Sequence, residues 1–194
     1  MRTLRVVLTI TLISLSAFAS AQWELDNDRS SINFISVKNS AIAETHSFTA
    51  LVGFIGADGK VQLGVDLDSV ETMIPIRNER MRELLFDTAR FPAANINTQV
   101  EPGILQAVAE GGVVTTDIPV TLSLHDRQVE LSVPVVVVGE PGGQLRVLSA
   151  RPVILNVGDF GLEKGVEALR EIAGLSAIST AIPVSVHLVF IPAE

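Results

Sequence analysis

Val61-Gln62-Leu63-Gly64-Val65-Asp66-Leu67-Asp68 alternates apolar and polar or small residues from end to end. A period of two puts one set of side chains in a core and the other in water, which is how a half-buried β-strand reads. The same period recurs in Val70, Thr72, Ile74 and Ile76 and in Ile118, Val120, Leu122 and Leu124. It returns in Val129, Leu131, Val133 and Val135, and in Ile182, Val184, Val186, Leu188 and Phe190. Two earlier strands are expected over residues 31–38 and 47–55. Turn chemistry separates the runs: Ala57-Asp58-Gly59-Lys60 is an Asp-Gly hairpin signal, and His125-Asp126-Arg127 and Glu140-Pro141-Gly142-Gly143 read the same way. Neighbouring antiparallel strands joined by tight turns imply an all-β sandwich or closed barrel.

Two segments leave this period. Residues 78–86 place Met81, Leu84 and Leu85 at helical spacing behind Asn78, a candidate N-cap. Residues 163–173 carry an apolar stripe of Val166, Leu169 and Ile172, with Glu167 and Arg170 on the wet side and Gly174 as a stop. One or two short helices are therefore expected on the sheet, either as lids or as covers for an open edge.

At the N-terminus, Arg2 and Arg5 precede an apolar run and then Ala17-Phe18-Ala19-Ser20-Ala21. That is the layout of a secretory signal cleaved after residue 21, and the run is too short for a spanning helix. The expected division is a signal peptide over 1–21 and one domain over 22–194, free in the periplasm or secreted, with no stable membrane insertion. The chain has no cysteine, so neither a disulfide framework nor a lipidated N-terminal cysteine is expected. Removing Arg2 and Arg5, with no acid lost, takes the net charge from −8 to −10. So acidic a chain is a poor ligand for phosphate backbones and anionic lipid surfaces, and nucleic acid is excluded as its main partner. Apolar residues make up 47% of the sequence but aromatics only 5%, so the interior is aliphatic and suits a solid core or a greasy cavity.

The landmarks follow an order that can be matched. Trp23-Glu24-Leu25-Asp26 and Ser31-Ile32-Asn33-Phe34 come first, then Gly53-Phe54 before the Asp58-Gly59 turn. Ser69-Val70-Glu71-Thr72, Ile76-Arg77-Asn78-Glu79-Arg80-Met81, Leu85-Phe86-Asp87 and Phe91-Pro92 follow. Leu122-Ser123-Leu124-His125 and Asp159-Phe160-Gly161 complete the set. In this order the chain resembles the YceI-like family, a lipocalin-like group of secreted bacterial proteins, over residues 22–194. The resemblance implies an eight-stranded antiparallel barrel enclosing an elongated pocket for polyisoprenoid or related amphiphilic lipids. Three positions depart from the pattern: Lys38 stands where a histidine is common, Asp126 where glycine follows the strand-ending histidine, and Leu155-Asn156-Val157-Gly158 lacks the arginine that often precedes Asp-Phe-Gly.

No catalytic constellation occurs in the sequence. His46, His125 and His187 lack metal-site spacing, and His187, between Val186 and Leu188, is expected on the wet face, so no metal is expected. Gly-x-Ser-x-Gly, P-loop and dinucleotide glycine patterns do not occur, and no cofactor is expected. Asp26 with Asp28, and Asp66 with Asp68, read as solvated faces rather than as a glycosidase pair.

Positive charge gathers in Arg77, Arg80, Arg82 and Arg90, where Arg77 and Arg80, joined by Lys38, could hold an anionic head group, or the arginines could pair with Glu79, Glu83 and Asp87. Counting by twos from Val147 turns Arg151 inward, where it needs a partner or a ligand anion, unless Pro152 shifts the register. The expected ligand contacts are Phe34, Lys38, His46, Phe48, Phe54, Arg77, Arg80, Val120, Leu122, Val133, Arg151 and Val184. The expected function is a non-enzymatic binder of a polyisoprenoid, quinone or fatty-acid derivative. Two alternatives stand beside it: a small-molecule enzyme using Glu44, His46 and Arg77 at the pocket mouth, and an envelope interaction module with an exposed apolar face. Oligomeric state is not legible.

Overall fold

A computed structural model describes residues 21–194. The signal peptide expected over 1–21 lies, but for its last residue, outside the described residues. Twelve strand segments form one antiparallel sheet: β1 (Ala21–Leu25), β2 (Ser31–Lys38), β3 (Ile42–Phe48), β4 (Leu51–Gly56), β5 (Lys60–Asp66), β6 (Val70–Glu71), β7 (Ala93–Gln99), β8 (Val113–Leu124), β9 (Arg127–Glu140), β10 (Gln144–Ser149), β11 (Val153–Asn156) and β12 (Ala181–Pro192). Helix α1 (Pro75–Arg80) runs on as a π-helix over Met81–Phe86, α2 is Pro102–Ala109 and α3 is Glu163–Ile172.

The twelve segments make eight barrel strands, because four of those strands are interrupted. β12 pairs with β11 and then β10 along one side, and with β2 and then β1 along the other. The pairs Trp23↔Pro192 and Leu25↔Phe190 join last strand to first and close the sheet into a barrel. Closure removes the free edge that would otherwise template aggregation.

The interruptions in the first three barrel strands lie side by side and are held by side chains in place of ladder bonds. Asn27 accepts from the Leu51 N–H through Oδ1 (2.7 Å), and Ser69 Oγ accepts from the backbone N–H groups of Thr49 (3.2 Å) and Ala50 (3.1 Å). This satisfies the donors that a bent strand leaves unpaired. It also corrects the expected strand over 47–55: the chain breaks at Thr49 and Ala50, so β3 and β4 are separate. Likewise the strand expected over 70–76 stops at Glu71, since Met73 takes a positive φ of 61° and Pro75 opens α1. The helix expected from Asn78 begins three residues earlier, with proline at its first turn, and Asn78 is a buried interior residue rather than a cap. The hairpin turns are where the sequence puts them, with His125 and Asp126 both at positive φ.

One end of the barrel is closed by α2, which the sequence reading missed. Val108 is 1% exposed there, and a Cβ on Gly139 of β9 would lie 1.7 Å from the Val108 carbonyl oxygen. Only glycine lets this helix end meet the strand, and the Gly139 N–H donates to the Gly112 carbonyl (2.9 Å). At the opposite end, α3 packs on the π-helical turn, where Gly165 meets Leu84 and Leu85. Gly139→Ala is predicted to lower unfolding free energy by about 1–3 kcal/mol through overpacking, measured by urea denaturation, whereas Gly103→Ala, whose Cβ meets nothing within 4 Å, is predicted to leave it unchanged or higher.

Candidate functional site: the barrel cavity and its polar mouth

The inward side chains do not fill the barrel. They leave a cavity of about 570 Å³, within the range of about 300–1,000 Å³ of small-molecule sites. Its walls are aliphatic: Val120, Leu122, Leu131, Val133, Val147 and Val184 line the middle, and Val100, Ile104, Leu105 and Leu145 line the α2 end. Phe34, Phe48 and Phe86 form an aromatic strip, with Phe34 and Phe48 centroids 5.4 Å apart and Phe48 and Phe86 5.9 Å apart.

Polar side chains concentrate on the β2–β3 side toward the hairpin. Register pairs Phe34 with His46, Ser36 with Glu44, and Lys38 with Ile42, so the inward residues step from aromatic to hydroxyl and carboxylate to ammonium. Glu44 Oε2 accepts from both Lys38 Nζ (2.8 Å) and Arg77 Nη1 (2.9 Å). Arg77 Nη2 also donates to the Thr72 carbonyl (2.6 Å). The hydrogen bond from Lys38, and the charges of Arg77 and Lys38, hold the Glu44 carboxyl below the usual carboxylate range, against partial burial.

Asn78 fixes the helix that carries Arg77, a role the sequence did not disclose. Its Oδ1 accepts from the Thr72 N–H (2.9 Å) and hydroxyl (2.5 Å), and its Nδ2 donates to Glu71 Oε1 (3.2 Å).

His46 is 4% exposed, stacks at a tilt on Phe34 with centroids 5.2 Å apart, and places Nε2 2.8 Å from Ser36 Oγ. Its Nδ1 is buried with no hydrogen-bond partner among the described residues. Burial first, then the Arg77 charge, lowers the imidazole pKa; Glu44 opposes this and Lys38 adds to it. The imidazole is therefore neutral at pH 7. A serine beside a histidine can be a nucleophile and its base, and a third group on the far imidazole nitrogen commonly orients that base. Among the described residues no group bonds that nitrogen, and Glu44 is shared by Lys38 and Arg77.

Ten of the twelve expected ligand contacts line this cavity: Phe34, Lys38, His46, Phe48, Arg77, Arg80, Val120, Leu122, Val133 and Val184. Phe54 does not. Leu51, Gly53 and Ile55 take the inward positions of β4, so Phe54 points out and is 40% exposed. Arg151 does not either, because the chain breaks between β10 and β11 and turns it outward, 3.8 Å from Asp117. The three residues of the enzyme alternative do converge at the mouth. His187 lies outside the barrel interior, beside Arg146, which also pairs with Glu140 at 2.6 Å. Among the described residues no group of three or more metal-ligating side chains occurs, and no helix is long and apolar enough to cross a membrane.

The fold and cavity define a class: a closed, up-and-down β-barrel with an apolar interior and a charged mouth. The YceI-like domain model matches residues 23–190, and the chain belongs to the YceI-like family. A polyisoprenoid binding domain from Saccharophagus degradans, implicated in plant cell wall breakdown, is 34% identical; the match covers 90% of this chain and 100% of that one, with a TM-score of 0.86. Burkholderia cenocepacia BcnA shares the fold at 16% identity, covering 85% of this chain and 98% of its own, with a TM-score of 0.66. A Campylobacter jejuni YCEI protein shares it at 12% identity, covering 77% and 84%, with a TM-score of 0.53. No curated protein matches the chain in sequence.

Two outcomes follow from the mouth. Because the folded pKa of His46 is depressed, the unfolded chain takes up a proton below about pH 6.5 that the folded chain resists, so stability is present above that pH and falls toward pH 5. Chemical denaturation at stepped pH is expected to show this slope, and His46→Phe is expected to remove it. Asn78→Ala is predicted to cost about 1–3 kcal/mol by orphaning the buried Thr72 groups, read as a lower urea midpoint.

Proposed function

We propose that this protein is an exported lipid-binding protein that holds the chain of a polyisoprenoid, or of a quinone or fatty-acid derivative of similar shape, inside its barrel. The signal-like first 21 residues support export to the periplasm or beyond. The observation that carries the reading is the cavity of about 570 Å³, apolar along its length and charged only at one end. Few groups in its middle could hydrogen-bond a water, so an aliphatic guest is favoured over solvent there. Burying about ten methylenes at about 0.8 kcal/mol each gives about 8 kcal/mol before association costs, so micromolar binding is the most that a chain of that length supplies. A longer chain adds to it. The polyisoprenoid-binding description of the Saccharophagus degradans relative supports the ligand class.

The polar mouth sets the orientation. Tail toward α2 and head toward Lys38, Glu44 and Arg77 is the arrangement that keeps charge out of the aliphatic interior. The binding itself asks for no covalent step. Organic extracts of the purified protein, analysed by mass spectrometry, are expected to contain a prenyl or other long-chain lipid. Val120→Trp, which fills the cavity from β8, is expected to weaken binding of added farnesol at least tenfold while leaving the circular dichroism spectrum unchanged. An empty protein with no affinity for farnesol or for a long-chain fatty acid would contradict the reading.

A further inference from the structure

Met73-Ile74-Pro75-Ile76 is a run of four consecutive exposed apolar residues, and Met73 is 86% exposed at a positive φ of 61°. Such a run on a folded surface marks a site of contact rather than chance. Positive φ is uncommon for a residue with a side chain, and the Met73 N–H is held by Glu71 Oε1, so this exposure is built into the backbone.

Two other apolar tips stand beside it. Ala41-Ile42-Ala43 is exposed at the β2–β3 hairpin, and Ile172-Ala173 is exposed at the end of α3. The three tips are tied together. Arg77, just past the first, bonds Glu44 of β3, and Asn39 of the hairpin accepts from the N–H and hydroxyl of Ser176, just past α3. Ile74, Ile76 and Ile172 belong both to this exposed collar and to the cavity wall, so apolar surface runs unbroken from outside to inside.

The chain as a whole is acidic, and Glu79 and Glu171 are exposed beside the tips, but at the cavity mouth the balance reverses and complements a phosphate. The charged residues lining the cavity are Lys38, Glu44, Arg77 and Arg80, three cations to one anion in an otherwise acidic chain. Glu44 is shared by Lys38 and Arg77, and Arg80 forms no salt bridge among the described residues.

We infer that this collar is a docking surface for an anionic phospholipid bilayer, with Met73, Ile74, Ile76 and Ile42 entering the interface and Arg80 meeting lipid phosphates. The inference rests on the reading of the cavity as a lipid site. Docked this way, a tail would pass between bilayer and barrel without crossing water. Apolar residues entering the acyl boundary and cations at the headgroups are the two terms of such interfacial binding.

The test is co-sedimentation with vesicles of phosphatidylglycerol and phosphatidylcholine, and with phosphatidylcholine alone, alongside farnesol uptake from detergent micelles. Ile42→Thr with Met73→Asn changes two exposed residues outside the cavity wall, and asparagine tolerates the positive φ. The wild type is expected to bind the anionic vesicles and this double variant at least tenfold less, with farnesol uptake kept. Arg80→Gln is expected to lose about fivefold on the anionic vesicles only. A wild type that stays off both vesicles overturns the inference, as does a double variant that binds as well as wild type. Self-association abolished by the double variant, with no vesicle binding, overturns it in favour of a second copy as occupant. Vesicle binding without farnesol uptake leaves the docking surface standing and removes the carrier reading.

Discussion

The pairing of β1 with β12 is the constraint on which the rest depends. An eight-stranded barrel encloses an interior only just wide enough for its own side chains or for one small guest. Which of the two obtains is decided by side-chain size. Here the middle of the barrel is walled by Val120, Val133, Val147 and Val184, short branched residues that cannot meet across the axis, while the large aromatics crowd one side. Closure without filling is what makes room. An open sheet with the same residues would collapse onto itself or onto the helices.

The ends of the barrel are treated differently for physical reasons that sit in a few residues. At the α2 end the backbone of the helix reaches β9 because position 139 has no Cβ, and the Trp23 indole N–H donates to the Gly143 carbonyl (2.8 Å) across the chain termini of the sheet. That end is sealed by backbone contact and buried aliphatics. At the other end the packing of α3 on the π-helical turn is joined by half-buried ionic contacts, with Lys38 and Arg77 sharing one carboxylate. Pairs of this kind are individually weak in solvent and can exchange partners.

How much of this could be read from the residues differs by feature. Alternation gave the strands around residues 61–67, 118–135 and 182–190, because each has one wet face and one dry face in long uninterrupted runs. It failed at Thr49 and Ala50, where the chain bends but the hydropathy pattern carries on, and it therefore put Phe54 on the wrong face of β4. Arg151 was misplaced by the same arithmetic, since counting by twos does not survive the break after Ser149. Helix α2 escaped notice because Ile104, Leu105, Ala107 and Val108 show no polar face against which to see a period, although Pro102 and Gly111 bracket it as start and stop signals. Asn78 was legible as polar but not as buried, and the exposed run from Met73 to Ile76 was hidden inside an apparent strand. Position in three dimensions, not residue type, gives those residues their roles.

The central claim is that the interior is vacant and takes an apolar chain lengthwise. It is tested most directly by isotope-filtered NMR on methyl-labelled protein with unlabelled geranylgeraniol. Magnetisation transfer from the prenyl chain to the methyl groups of Val120, Leu122, Val133 and Val184, and none to the outward Val52, is the result the account requires. Transfer confined to outward-facing methyls, or absent altogether at saturating ligand, would contradict it.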